Sequence, residues 1–472
     1  MAETADDIGD RPAIGVVHLG IGAFFRAFGV PWLEDVMAAA GGDWGVVGVS
    51  LRSAAVRDRL GPQDTAYHCL QRGSDGTELR RVTALRRVLF LGEERAEVLA
   101  AMADSAVSLV SLTVTEKGYA HVPGAGRLDL NHPQIVHDIG APDAPLTAPG
   151  LIVAALRRRR DAGLRPFTCL SCDNLPGNGE VLRNVVLGLA EQVDPRLAGW
   201  IAHEGRFPAT MVDRIVPAAT VADVDEVERR TGLRDAAVVV HEPFRQWVIE
   251  DRFVDDVRPA FEAAGVVMTD AVAPYELMKL RCLNGTHSAI AYLGVLAGKE
   301  TVAEAVADQG FARFVKGLWR EEIVPSLEPP PSIDLAEYTA ALMQRYRNPG
   351  IAHRTMQIAM DGSQKLPQRI LAATEENLAG GRPFERLALV VAAWIRFLGG
   401  VTEDGAPYDL SDPLADRLQE LARSKDPVGA VMAVEVVFGR TLPNRTAVVD
   451  TVREAYDRLA GEGVQAVLEG MP

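Results

Sequence analysis

Long uninterrupted apolar runs are missing from this sequence. No stretch reaches the roughly 18 to 20 residues that a membrane-spanning helix needs, and the acidic start "MAETADDIGDRP" has no apolar signal core. A cytoplasmic protein with no membrane partner is the expectation. Cysteine is scarce as well, four in 472 residues, which excludes a disulfide framework and suits a reducing compartment. Cys169 and Cys172 do form a Cys-x-x-Cys in "TCLSC". They fall inside a predicted strand, where alternation puts them on opposite faces, and not at the helix start that thiol redox chemistry uses. Basic residues are outnumbered: 49 Lys and Arg face 64 Asp and Glu, for a net charge of -15. Such a chain repels a phosphate polymer, so no nucleic-acid partner is expected. The one basic run, Arg157 to Arg160 in "LIVAALRRRRDAG", reads as the solvated end of a helix. Nine scattered histidines without a paired-cysteine ligand set argue against a zinc site of the alcohol dehydrogenase kind, and no metal is expected.

What is present is an ordinary globular composition, 48% apolar and 24% charged, in a chain long enough for two domains. Apolar runs rich in β-branched residues recur at 13–19, 44–50, 107–114, 167–173 and 236–242. Helical patterns lie between several of them, at 23–40, 149–161 and 178–193. Strands alternating with helices predict an α/β domain with a largely parallel sheet covered on both faces. From about residue 274 apolar positions recur at helical spacing, through "PYELMKLRCLNGTHSAIAYLGVLAG" and "ERLALVVAAWIRFLGGV". "EPPPS" at 328–332 separates two helices and is too short to be a linker. The expected division is a Rossmann-type domain over 1–270 and a mainly α-helical domain over 271–472.

The first of these domains carries "VVHLGIGAFFRAFG", residues 16–29, a strand running into Gly20-x-Gly22 and a helix. A dinucleotide fold needs this order: Gly20 for the tight turn, Gly22 for close backbone approach to a pyrophosphate, and the helix start facing the anion. The usual third glycine is absent; Phe25 occupies that region, and Arg26 follows as a cation for a phosphate. At the second strand's end, "VSLRSAAVRD" offers Arg52 and Ser53 with no acid before Asp58. That leaves NADP open beside NAD, because an acid there would bind the ribose hydroxyls of NAD.

The second domain begins with the stretch "YELMKLRCLNGTHS", 275–288. On a regular α-helix at about 100° per residue, with Lys279 at zero, Glu276 falls near 60°, His287 near 80° and Asn284 near 140°. An ammonium, a carboxamide, an imidazole and a carboxylate on one face would each need a partner if buried, which marks a functional site. Hydride transfer between a secondary alcohol and a ketone needs a base and donors to the reacting oxygen. A lysine serves as base where burial and neighbours lower its ordinary pKa of about 10.4, and carboxamides are neutral donors.

At these residues the sequence resembles the polyol-specific long-chain dehydrogenases, the family of mannitol 2-dehydrogenase and fructuronate (mannonate) reductase. The resemblance extends through "HLGIGAFFRA", "SLTVTEKGY", "SCDNLPGNG", "FPATMVDRIVP", "HEPFRQWVIED" and "IAMDGSQKLPQR". It implies a metal-independent NAD(P)-dependent oxidoreductase, with NAD as the usual cofactor and a sugar alcohol or sugar acid as substrate. Lys279 then resembles the family's general base, Asn174 and Asn284 its donors to the reacting oxygen, and His287 its substrate-positioning histidine. Asp213, Glu276 and Lys365 match polar residues counted here with the substrate, and Glu116 one counted with the cofactor, beside Gly20, Gly22, Phe25, Arg26 and Arg52. Arg354 and Lys365 are candidates to meet a substrate carboxylate.

The chain departs from the family pattern in three respects, at five positions. Phe25 and Phe28 stand where many relatives have histidines, Ala54 and Ala55 where NAD-preferring mannitol dehydrogenases carry acids, and Gln357 where some have a pocket arginine. The leading expectation is a dehydrogenase that interconverts a linear polyol or aldonate with its keto form. The alternative is a non-catalytic nucleotide-binding sensor on the same fold.

Overall fold

The computed structural model describes residues 11–122 and 126–471; the acidic stretch 1–10 read above lies outside the described residues. The chain divides into two compact units, Met1–Ala273 and Pro274–Pro472.

The first unit is built on five parallel strands: β1 (Ile14–Leu19), β2 (Gly45–Ser50), β5 (Leu85–Phe90), β6 (Leu109–Leu112) and β9 (Thr168–Ser171), in the order β5-β2-β1-β6-β9. Successive residues alternate between two cores. Val17, Val47 and Val110 pack with the helices Ala148–Asp161 and Asn178–Val193, whereas Val16 and Val46 pack with Phe25, Phe28, Trp247 and Phe261. Burial on both faces explains why β1, β2, β6 and β9 read as continuous apolar runs; β5, with Arg86 and Arg87 in "LRRVLF", did not stand out. Chain order reverses beside β1, which opens the crevice at the carboxyl ends of β1 and β6 where open parallel sheets receive ligands. Cys169 lies in one core and Cys172 in the other; both are free, as strand alternation requires.

The run at 236–242 is not part of this sheet. Its strand β11 (Val239–His241) pairs in parallel with β3 (Tyr67–Gly73), which pairs antiparallel with β4 (Gly76–Val82). A further three-stranded sheet joins β10 (Thr210–Asp213), β12 (Gln246–Glu250) and β13 (Val267–Thr269). The small hairpin β7 (His121–Val122) and β8 (Arg127–Leu128) completes the strands. Strands such as β4, "GTELRRV", are too polar to stand out as apolar runs. The expected single helix at 23–40 is also two, Ala23–Ala27 and Gly29–Ala40, broken at Phe28 where φ is -123° and ψ -75°.

The basic run departs from its reading as a solvated end. Arg157 pairs with Asp143, and Arg160 with Asp161 and Asp194. Arg159 is buried and donates to the carbonyls of Arg165 (2.6 Å), Asp104 (2.6 Å) and Val107 (3.0 Å). The guanidinium reaches three loop carbonyls, of which Asp104 also accepts from Val107 N–H at 3.1 Å, so Arg159 ties these loops together and satisfies buried backbone oxygens.

The second unit is helical. The helix Thr286–Leu296 is buried over its whole length and packs against the helix Glu385–Phe397, which in turn meets the last helix, Thr446–Glu469. "EPPPS" lies between the 3-10 turn Val324–Ser326 and the helix Leu335–Tyr346. Among the described residues no helix is long and apolar enough to cross a membrane.

Arg159→Met is expected to cost about 2–4 kcal/mol of stability, because it strands buried carbonyls while keeping most of the packing volume. Urea denaturation measures this, and a midpoint equal to that of the parent chain would contradict the role given to Arg159.

Candidate functional site

In the first unit the glycine turn is dictated by sterics. Gly20 has φ +94°, and a Cβ there would collide with the Thr113 carbonyl oxygen, so only glycine fits. Its N–H donates to the Val49 carbonyl at 2.8 Å, which ties the turn to β2. Gly22 is exposed, and a Cβ on it would meet only the Gly20 oxygen, at 3.8 Å.

Beneath the turn lies His18, fully buried and stacked on Phe25 with ring centroids 3.3 Å apart. Thr113 Oγ1 donates to the Gly20 carbonyl (2.9 Å), so it accepts from His18 Nε2 (2.9 Å), and His18 Nδ1 accepts from Ser111 Oγ (2.8 Å). Burial holds this imidazole neutral, well below its ordinary pKa. The turn therefore rests on a chain of neutral hydrogen bonds.

Two expectations at this turn are corrected. Arg26 does not face the glycines: it is buried, donates to the Ala237 carbonyl, and lies 5.5 Å from the centre of the Tyr67 ring. The five-residue helix turns it toward β3 and β11. Phe25 likewise points inward, between His18 and the backbone of Gly29, where a Cβ would strike its ring. Arg52 is exposed just beyond β2. Glu116 is exposed, with its carboxylate 3.8 Å from His121 Nε2.

Asn174 is exposed and follows Asp173, a residue the sequence reading passed over. The Asp173 carboxylate accepts from the N–H groups of Val114 (3.0 Å) and Thr115 (2.9 Å) and from the Tyr119 hydroxyl (2.9 Å), which fixes the loops after β6 and β9 together. Asp213 is buried at the end of β10.

In the second unit the segment 275–288 is not a regular α-helix. An α-helical turn, Ala273–Met278, gives way to a π-helical segment, Lys279–Gly285, before the helix Thr286–Leu296. The angles expected at 100° per residue therefore do not carry across it. Three side chains take carbonyls of this segment: Trp319 Nε1 donates to Cys282 (2.9 Å), Tyr346 Oη to Leu283 (3.1 Å) and Arg369 Nη1 to Asn284 (3.4 Å). Gly285 permits a second π-helical segment, Pro367–Leu371, to approach; a Cβ on Gly285 would lie 2.8 Å from the Arg369 carbonyl oxygen.

Lys279 and His287 are each only 6% exposed, and Asn284 and Glu276 are half-buried. The His287 ring meets Tyr346 and His353, both with centroids 4.9 Å away. Among the described residues its Nε2 is buried without a hydrogen-bond partner, as is Nδ1 of His353. Burial drives His287 well below its ordinary pKa, assisted by His353, Arg345, Arg369 and Lys279. Burial also lowers His353, to about 4, with Arg345 and Lys365 adding to the effect. Lys365 donates to the carbonyls of Ile358 (3.3 Å) and Met360 (2.6 Å), and burial beside Arg369 lowers it to about 8. Arg354, by contrast, is exposed before the short helix Thr355–Ala359, and Gln357 is exposed as well.

His353, Arg345 and Arg369 were missed in the sequence, although Arg369 ends the quoted "DGSQKLPQR". Among the described residues no group of three or more His, Cys, Asp or Glu could hold a metal ion.

Two family models match the chain, the mannitol dehydrogenase Rossmann domain over residues 14–263 and the mannitol dehydrogenase C-terminal domain over 271–460. D-mannonate oxidoreductase of Escherichia coli (strain K12) is 42% identical over 457 residues, covering 95% of this chain and 94% of the relative. Pseudomonas fluorescens mannitol 2-dehydrogenase, solved as a ternary complex with NAD and D-mannitol, superposes with a TM-score of 0.88 at 38% identity, covering 99% of this chain and 95% of that one. A D-sorbitol dehydrogenase in substrate-free form gives a TM-score of 0.89 at 33% identity, covering 97% and 96%.

The buried imidazoles predict acid lability. His18 and His287 lie well below the ordinary value, His353 at about 4, and His241 at about 3 through burial beside Arg214. Below about pH 6.5 the unfolded chain takes up protons these rings refuse, so each subtracts up to about 1.4 kcal/mol per pH unit until its folded pKa is reached. The urea midpoint is expected to fall between pH 7.5 and pH 5.5, and a midpoint that stays level over that interval would be inconsistent with neutral buried rings.

Proposed function

The chain belongs to the mannitol dehydrogenase family, and from that premise we propose that it interconverts a secondary alcohol of a linear polyol or aldonate with the corresponding ketone, using NAD. The observation that carries this reading is the π-helical segment that carries Lys279 and Asn284 and leads into His287, with the buried Nε2 of His287 lacking a hydrogen-bond partner among the described residues. An orphaned buried nitrogen is costly unless a ligand completes it.

The glycine turn suits the dinucleotide: Gly20 takes the positive φ, Gly22 leaves its outer side open, and both lie at the carboxyl end of β1 beside the reversal of strand order. NAD when bound supplies the hydride acceptor. Arg52, exposed past β2 with no acid before Asp58, leaves the 2′-phosphate of NADP unopposed.

Lys279 as neutral amine takes the hydroxyl proton during oxidation and returns it during reduction. The side-chain N–H groups of Asn284 and Asn174 are the proposed donors to the reacting oxygen, neutral and so not competitors for its proton. His287, held neutral, is the proposed partner of a substrate hydroxyl, with one ring nitrogen to donate and one to accept. Asp213 and Glu276 are proposed acceptors for further hydroxyls, and Glu116 a polar contact of the cofactor. Because the lysine is the base, no metal is required to activate the alcohol.

Lys279→Met is expected to lower kcat by about 10²–10⁴-fold, the usual worth of a general base, while leaving NADH affinity measured by fluorescence titration unchanged. Activity of the parent chain should survive dialysis against EDTA. Near-normal turnover in the variant would remove the base, and loss on chelation would remove metal independence.

A further inference from the structure

We propose that Asp173 is a positioning residue: its carboxylate holds the loop after β6 in a strained backbone conformation, and through that loop it fixes both the glycine turn and Asn174. The inference rests on the oxidoreductase reading above and adds to it a residue that acts through its neighbours.

The strain sits at Thr115, a β-branched residue with φ 65° and ψ 162°. That region of backbone space belongs almost entirely to glycine, and another residue persists there only where the surrounding structure over-determines it. Ala120, at the other end of the turn Glu116–Tyr119, also has a positive φ, 49°. The two departures flank Glu116, the residue counted with the cofactor. Asp173 supplies the restraint. One carboxylate oxygen accepts from Thr115 N–H (2.9 Å), and the other from Val114 N–H (3.0 Å) and the Tyr119 hydroxyl (2.9 Å). Ser171 Oγ in turn lies 2.5 Å from the Tyr119 oxygen, which steadies the ring. Three donors of one loop thus converge on a single half-buried side chain. A carboxylate only accepts, so it satisfies all three; an amide would set its own N–H groups against one of them.

The restraint reaches two places that matter for the reaction. Just before Val114, the Thr113 hydroxyl donates to the Gly20 carbonyl (2.9 Å) and the Thr113 N–H to the Leu19 carbonyl (2.9 Å). The loop is therefore the wall against which the glycine turn is built. On the other side, the Asp173 carbonyl accepts from Leu175 N–H (2.9 Å) and from Asn178 Nδ2 (3.0 Å), at the start of the helix Asn178–Val193. Asn178 is itself fully buried and exchanges hydrogen bonds with the Thr210 backbone, donating to its carbonyl at 2.9 Å and accepting from its N–H at 3.0 Å. Asp173 is thus fixed at its side chain by one loop and at its carbonyl by a helix start, which leaves the backbone of Asn174 little freedom. The spacing between Asn174 and the glycine turn is set within the first unit.

The test compares the parent chain with Asp173→Asn, with the double variant Asp173→Asn/Thr115→Gly, and with Tyr119→Phe. The readouts are kcat and KM for reduction of D-fructose and D-fructuronate, NADH affinity by fluorescence titration, and the thermal midpoint. Asp173→Asn should lower kcat about 10- to 100-fold, the scale on which small misplacements at a reacting centre act. It should also weaken NADH about 5-fold, the low end of what one strained backbone position is worth. Glycine takes the same φ without strain, so the added Thr115→Gly should recover about 3-fold or more of each loss. Tyr119→Phe removes one donor and keeps the ring, and it should move both quantities the same way by less, which keeps the test open if Asp173→Asn does not fold. A merely structural aspartate would lower the thermal midpoint and leave kcat and NADH affinity of the folded variant intact, or would give losses that Thr115→Gly deepens. Either result overturns the proposal. A parent chain that reduces neither ketone would count against the oxidoreductase reading instead, while weaker NADH binding in Asp173→Asn, restored by Thr115→Gly, would still uphold the anchor.

Discussion

Gly285 lies so close to the second π-helical segment that any side chain there would push against the Arg369 carbonyl oxygen, 2.8 Å from the position of a Cβ. That contact brings two distorted helical segments together, with Lys279 and Asn284 on one and Arg369 on the other. A π-helical segment widens the backbone and loosens its internal ladder. Here the carbonyls of Cys282, Leu283 and Asn284 are met by Trp319, Tyr346 and Arg369. The donors come from three different segments, so the distortion is held by the tertiary structure and not by local propensity. Arg369 thereby has two tasks, as a strut for the Asn284 backbone and as a cation beside it.

The first unit solves a similar problem with different means. Gly20 is forced to positive φ by the Thr113 carbonyl, and the threonine's own hydroxyl then holds the Gly20 carbonyl. His18 passes the hydrogen bonding on to Ser111. Phe25, stacked on His18, and Arg26, turned toward Ala237, seal the turn from behind. The cation is thus spent on a backbone carbonyl, which leaves helix-start N–H groups and open glycine surface as what the turn can present to an anion.

These two sites show what a sequence can and cannot carry. Four of the five parallel strands, β1, β2, β6 and β9, were legible because burial on both faces makes them apolar throughout, whereas β5 was not, since Arg86 and Arg87 interrupt it. The helix Asn178–Val193 was legible to the residue, and Gly20 because a strand running into Gly-x-Gly has few other uses. Polar β4 was not, and 239–241 showed as a strand without showing its sheet, since pairing partners distant in sequence leave no local mark. Arg26 was read as a cation for a phosphate and Arg159 as part of a solvated helix end, because nothing in their neighbours reveals that a loop carbonyl far along the chain will accept from the guanidinium. Lys279, Asn284 and His287 could be named from residue type and family pattern, but not oriented: one π-helical segment invalidates a helical wheel. Arg369 was hidden for the same reason, since its proximity to Asn284 exists only once both segments are distorted.

The electrostatics of the second unit bind these features together. Lys279, Lys365, Arg345, Arg369 and two imidazoles act on one another in a setting short of water. Protonating either histidine would add a charge to a field already positive and poorly solvated, so both stay neutral over the range where proteins work. Neutrality has a chemical consequence. An imidazolium can only donate, whereas a neutral ring offers one donor and one acceptor, and polyhydroxylated chains need both.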